Sequence, residues 1–139
     1  MKVMIVVKAN AQSEAGEMPS TELLTKMGKY NQELVAAGIM LSGDGLKASS
    51  NGARVKFDGD KRTVTNGPFA NTNDLIAGYW IWNVKSLQDA IDWLKRAPFT
   101  NGEEVEIRPI FSAEDFAPQM TPDLQKQEAD LRQKLAASK

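Results

Sequence analysis

The stretch that most constrains this chain is 75-LIAGYWIWNV-84, which carries apolar side chains on both faces of what must be an extended strand. Leu75, Ala77, Tyr79 and Ile81 fall on one face, and Ile76, Trp80, Trp82 and Val84 on the other. A strand of this kind has to be covered on both sides. The N-terminal run Lys2 to Lys8 (KVMIVVK) makes the same demand: it is short, continuous and valine-rich, as expected of a buried strand.

The segments between and after these two supply helices. Pro19-Ser20 opens an amphipathic helix over residues 21–37, with Leu23, Met27, Tyr30 and Leu34 at spacings of 4, 3 and 4, Ser20 as N-cap and Gly38 as C-terminal stop. Ala9 to Met18, just before it, reads as a polar loop. Ser86 and Asp89 stand three apart like a capping box ahead of the stripe Leu87, Ala90, Ile91 and Leu94. Thr121-Pro122-Asp123 starts a last helix, charged all round apart from Leu124, Leu131 and Leu135.

Four more strands complete the order. Ile39 to Ser42 is apolar and ends in Gly43-Asp44-Gly45. Ala53 to Thr65 alternates apolar and polar residues around Asp58-Gly59-Asp60, a hairpin signal. Glu103 to Ile110 alternates again, with Pro109 either placing it at an edge or terminating it. The sequence is therefore strand, helix, strand, hairpin, long strand, helix, strand: an α+β fold of the ferredoxin-like split βαβ kind with an inserted β-hairpin. Two helices cover one face of such a sheet, so the expectation is a homodimer in which a second copy covers the other. The expected organisation is one domain over residues 1–117 and a helical tail over 118–139.

Composition excludes more chemistry than it suggests. The 139 residues contain neither Cys nor His, which removes disulfides, thiol nucleophiles, imidazole bases and the commonest metal ligands. No cofactor or metal is expected; a metal site would have to be all-oxygen, and the acidic residues Glu14, Glu17, Asp44 and Asp74 are too scattered to argue for one. A net charge of −1, from 17 basic and 18 acidic residues, argues against nucleic acid and anionic membranes as partners. No apolar run reaches the roughly 20 residues a spanning helix needs, and the N-terminus reads as a strand and not as a signal peptide. A cytoplasmic location is the resulting expectation.

Several motifs together resemble a known family. Gly43-x-Gly45-Leu46, Val64-x-x-Gly67-Pro68-Phe69-Ala70, Gly78-Tyr79 and Val105-Glu106-Ile107-Arg108-Pro109 are similar, in order and spacing, to the YCII-related proteins, and within them to the branch named for an Asp-Gly-Pro-Phe motif. The match runs from about Lys2 to Phe116. It implies a dimeric α+β barrel with a cleft between the sheet and its loops. Most members have no established function, and some in another branch resemble enzymes with a His-Asp pair. This chain lacks His and reads Asn66, Asn71 and Asn73 where the branch has Asp, Glu and Lys, so that pair is absent and those three positions can hydrogen-bond a ligand without exchanging protons.

Candidate site residues follow, each with a plainer alternative. Pro68 disfavours a simple Asn-Gly hairpin, leaving Gly67-Pro68-Phe69 as a strand exit that either plugs the core edge or rims a pocket. Asp44, between two glycines, is either a solvated turn residue or a general base, and Tyr79 either a core residue or its partner acid. Tyr30, Asn66, Phe69, Asn71, Asn73 and Arg108 are candidate ligand contacts, Arg108 as a clamp for a carboxylate. Arg54 and Arg62 read as solubilising hairpin residues. Two functions remain: a small-molecule-binding or accessory protein with its cleft beside Asn66-Gly67-Pro68-Phe69, or a lyase, isomerase or hydrolase for a small metabolite using Asp44. An adaptor acting through the C-terminal helix ranks third.

Overall fold

A computed structural model describes residues 1–70, 72–100 and 102–138. Among the described residues six strands and four α-helices run in the order β1 (Lys2–Lys8), α1 (Ala11–Glu14), α2 (Thr21–Ala36), β2 (Met40–Gly45), β3 (Ala53–Asp58), β4 (Lys61–Asn66), β5 (Ile76–Asn83), α3 (Leu87–Leu94), β6 (Val105–Pro109) and α4 (Pro122–Ala137). Four strands form an antiparallel sheet in the order β2-β5-β1-β6. This is the split βαβ arrangement: β5 lies between β1 and β2, and β6 closes the far edge, where Pro109 leaves no missing ladder bond.

The hairpin departs from expectation. It stands apart as its own two-stranded sheet, β3 with β4, and is not an extension of the main one. Its link is two residues, Gly59 and Asp60, with Gly59 at φ +57 supplying the left-handed backbone that a tight hairpin needs. Val55 and Val64 face each other on one side, both well exposed.

The core lies on one side of the main sheet. Val3 and Ile5 of β1 and Trp80 and Trp82 of β5 meet Tyr30 and Leu34 of α2 and Ala90 of α3, all buried. Burying groups of this size is worth about 1.5–3 kcal/mol each, and accounts for the side chosen by α2 and α3. The caps read from sequence are present: Ser20 accepts from Leu23 N at 3.1 Å, Ser86 from Asp89 N at 3.1 Å, and Thr121 from Leu124 N at 3.2 Å. The segment read as a polar loop contains α1, one turn capped by Asn10, whose side chain accepts from Ser13 N at 2.8 Å. Four residues hold no apolar period, so this turn rests on its cap and leaves no stripe to read.

Met4, Val6, Tyr79 and Ile81, on the opposite face, are half-buried and none joins the core. Nor does α4 bury its stripe: Leu124, Leu131 and Leu135 remain 43%, 55% and 57% exposed. Among the described residues no helix is long and apolar enough to cross a membrane.

Candidate functional site

An apolar cleft lies between α2 and the β2–β5 half of the sheet. Register places Gly43 opposite Trp80 and Gly45 opposite Gly78, and side-chain alternation turns all three glycines toward the helix layer. The sheet is therefore bare of side chains at Gly45 and Gly78, with Trp80 and Val7 bordering the gap. Leu23, Met27 and Asn31, four residues apart, face it from α2, and Phe99 and Trp80 close the inner end, leaving a cavity of about 300 Å³. Such a volume is at the small end of ligand sites.

Trp80 is fixed from several directions. Its Nε1 donates to Asn31 Oδ1 at 2.9 Å, and its ring meets Tyr30 and Phe99 edge to face at centroid distances of 6.0 and 6.1 Å. A Cβ built on Gly43 would lie 2.5 Å from Trp80 Cδ1, so the indole lies directly over that glycine. On Gly45 a Cβ would meet nothing within 4 Å. Gly43-Asp44-Gly45 is thus the second half of a strand, not the turn that glycines first suggest.

Asp44 and Tyr79 are brought together, but on the other side. They are register partners whose side chains project to the open face, and the Tyr79 hydroxyl donates to Asp44 Oδ2 at 3.1 Å. Their backbones border the cavity while their side chains turn away from it. That hydrogen bond to a carboxylate, with the carboxylate's charge, raises the phenol above its ordinary 10.0 and makes Tyr79 a poorer acid. Arg108 stands on this face too, 72% exposed and 3.3 Å from Glu106, which also lies 3.7 Å from Lys8.

The Asn66-Gly67-Pro68-Phe69 segment belongs to a third place. β4 ends at Asn66, and the Gly67–Pro68 peptide is cis. A Cβ on Gly67 would fall 1.7 Å from the Ser49 carbonyl oxygen, so only glycine fits. Phe69 N donates to Ser49 Oγ at 3.0 Å, Ser49 N donates to Glu14 Oε2 at 2.9 Å, and Ser49 Oγ donates to Glu14 Oε1. The serine thus ties α1, the turn Ser49–Asn51 and this loop together, and these two hydrogen bonds hold Glu14 below its ordinary 4.5. Phe69 does not plug the core: it is half-buried under Arg54, whose Cζ sits 3.8 Å above the ring centroid. Arg54 is accordingly a packing residue, and Arg62, 4.5 Å over Phe57, is another.

The remaining candidates scatter. Tyr30 is a core residue; its hydroxyl donates to Trp93 O at 2.6 Å and burial pushes its pKa to about 12. Asn66 pairs with Ala53 in the hairpin. Asn73 lines a separate, polar cavity of about 350 Å³ with Lys8, Asn10, Glu103 and Glu104. Asn71 lies outside the described residues. Among the described residues no group of three or more acidic side chains is placed to hold a metal.

Sequence reasoning did not single out Leu23, Met27 and Asn31 as a site, although the signal existed. Asn31 continues the Leu23–Met27 row by four residues and interrupts it with an amide. Gly78 shares strand parity with Trp80, and the register that sets it beside Gly45 is a tertiary fact.

A family model described as the YCII-related domain matches residues 1–114. No curated protein matches. Among solved structures, the chain is similar to a 5-chloro-2-hydroxyhydroquinone dehydrochlorinase from Burkholderia phenoliruptrix AC1100, in complex with 2,5-dihydroxybenzoquinone; identity is 16%, coverage 82% of this chain and 98% of that one, and the TM-score 0.44.

Proposed function

This chain belongs to the YCII-related family, and we propose that it is a small-molecule-binding protein whose ligand occupies the cavity between α2 and the glycine-bare part of the sheet. One observation carries the reading. Gly43, Gly45 and Gly78 converge on one face of two paired strands beneath an apolar helix row, where larger side chains would fill the core. The site lies apart from the Asn66-Gly67-Pro68-Phe69 loop, whose part is structural. An enzyme using Asp44 as base and Tyr79 as acid is the weaker reading, because both side chains turn away from the cavity and the phenol is already committed to Asp44.

We further propose that the working unit is a homodimer, a second copy covering Met4, Val6, Tyr79 and Ile81. Half-buried apolar residues in the middle of a sheet support it. Sedimentation at micromolar concentration should give a dimer that Ile81→Glu dissociates, and a wild-type monomer would contradict this second proposal alone.

Gly45→Val tests the first, since its Cβ would meet nothing within 4 Å and its methyl groups would take up cavity space. A thermal-shift screen of small neutral compounds should find stabilisers of the wild type that lose their effect on the variant. Stabilisers equally effective on both would place binding elsewhere.

A further inference from the structure

The cavity has a polar side chain whose orientation its neighbour dictates. An indole N–H only donates, so the 2.9 Å contact from Trp80 Nε1 obliges Asn31 to present its oxygen there. The amide nitrogen is therefore on the other limb, and no hydrogen bond from it is found among the described residues. Ordinarily the two ends of an asparagine are interchangeable; here the tryptophan settles them.

The rest of the lining sharpens the contrast. Leu23, Met27, Phe99 and Val7 are apolar, the facing strands carry glycine at 45 and 78 beside Trp80, and Asp44 and Tyr79 direct their side chains to the opposite face. Built upon the cavity reading above, we infer that Asn31 is the specificity determinant of this site and that the ligand is flat, uncharged and presents a hydrogen-bond acceptor to the Asn31 amide N–H groups. Flatness follows from the stretch of wall at Gly45 and Gly78, which carries no Cβ atoms and is bordered by Trp80 and Val7. Neutrality follows because no cationic or anionic side chain enters the cavity to offset the cost of desolvating a charge. An acceptor is required because a donor brought to the Asn31 amide nitrogen would meet another donor and lose its own water without replacement.

Three bicyclic probes of similar size separate these features: naphthalene, with neither group; coumarin, with acceptors only; and indole, with one N–H donor. Titrations followed by protein NMR should show naphthalene binding, coumarin about fivefold tighter, and indole no tighter than naphthalene. Asn31→Asp keeps an acceptor for Trp80 but removes the N–H groups, so it should abolish the coumarin advantage and favour indole. If naphthalene binds but indole equals or exceeds coumarin in the wild type, the inference about Asn31 is overturned while the cavity reading stands. If neither naphthalene nor coumarin binds, the cavity reading fails and the inference with it. The wild-type ranking decides the matter even if the aspartate variant does not fold.

Discussion

Gly43 and Gly45 sit two residues apart in the same strand, on the same face, and should respond in opposite directions to one methyl group. On Gly43 the added Cβ would stand 2.5 Å from Trp80 Cδ1, against an ordinary carbon–carbon contact of about 3.5–4.0 Å, so the indole must retreat by about 1 Å. It has little room to do so. Trp80 is packed against Trp82 at a centroid distance of 5.8 Å and between Tyr30 and Phe99, and its Nε1 is bonded to Asn31. Overpacking of this kind costs about 1–3 kcal/mol, and losing the indole hydrogen bond adds about 1 kcal/mol. The lower entropy of alanine in the unfolded chain returns about 0.4–1 kcal/mol. Gly43→Ala should therefore destabilise by about 2 kcal/mol, or roughly 6 °C for a chain of this size. Gly45→Ala meets nothing within 4 Å and should gain about 0.4–1 kcal/mol. Urea denaturation with tryptophan fluorescence measures both. Variants agreeing within about 0.5 kcal/mol would refute the placement of Trp80 over Gly43 and, with it, the described shape of the cavity wall.

Two further predictions concern ionisable groups. Glu14 has a folded pKa below its ordinary 4.5, so its contribution is complete above the unfolded value and is lost as pH falls through the lower folded one. Melting temperature measured from pH 6 downward should fall less steeply in Glu14→Gln than in the wild type on that acid side, and parallel curves would contradict the Glu14–Ser49 tie. Both tyrosines of the chain should titrate above the ordinary 10.0 while it is folded. Asp44→Asn should return only Tyr79 toward 10.0, leaving Tyr30 near 12, as followed by phenolate absorbance; two unchanged titrations would exclude the Tyr79–Asp44 contact.

How much of this was legible beforehand differs between fold and site. The strand order could be read because the two-faced strands, the helix stripes and their Ser and Thr caps are local patterns, and the split βαβ connection follows from their order. The hairpin's detachment could not be read, because Val55 and Val64 alternate as they would in either arrangement and only packing decides. Trp80 and Trp82 were legible as large buried residues. The site was not, since it is made of what is missing: Gly43 and Gly45, which a turn-based reading assigns to a loop, meet Gly78 of the long strand on one face only once β2 and β5 are in register. Asp44 and Tyr79, read from sequence as base and acid, hydrogen-bond each other, yet strand parity sends them to the face away from the cavity. The Gly67-Pro68-Phe69 loop was legible as a strand exit, while its tie to Glu14 through Ser49 spans distant parts of the chain and left no local trace.

The most direct test of the central claim is an NMR map of where a small neutral aromatic binds. With naphthalene as the probe, the account predicts shift changes centred on the Trp80 indole N–H and on the amides of Gly43, Gly45, Gly78 and Met27, and their loss in Gly45→Val. Changes centred instead on Asn73, Glu103 and Glu104, or on Met4, Val6 and Ile81 of the opposite face, would contradict it.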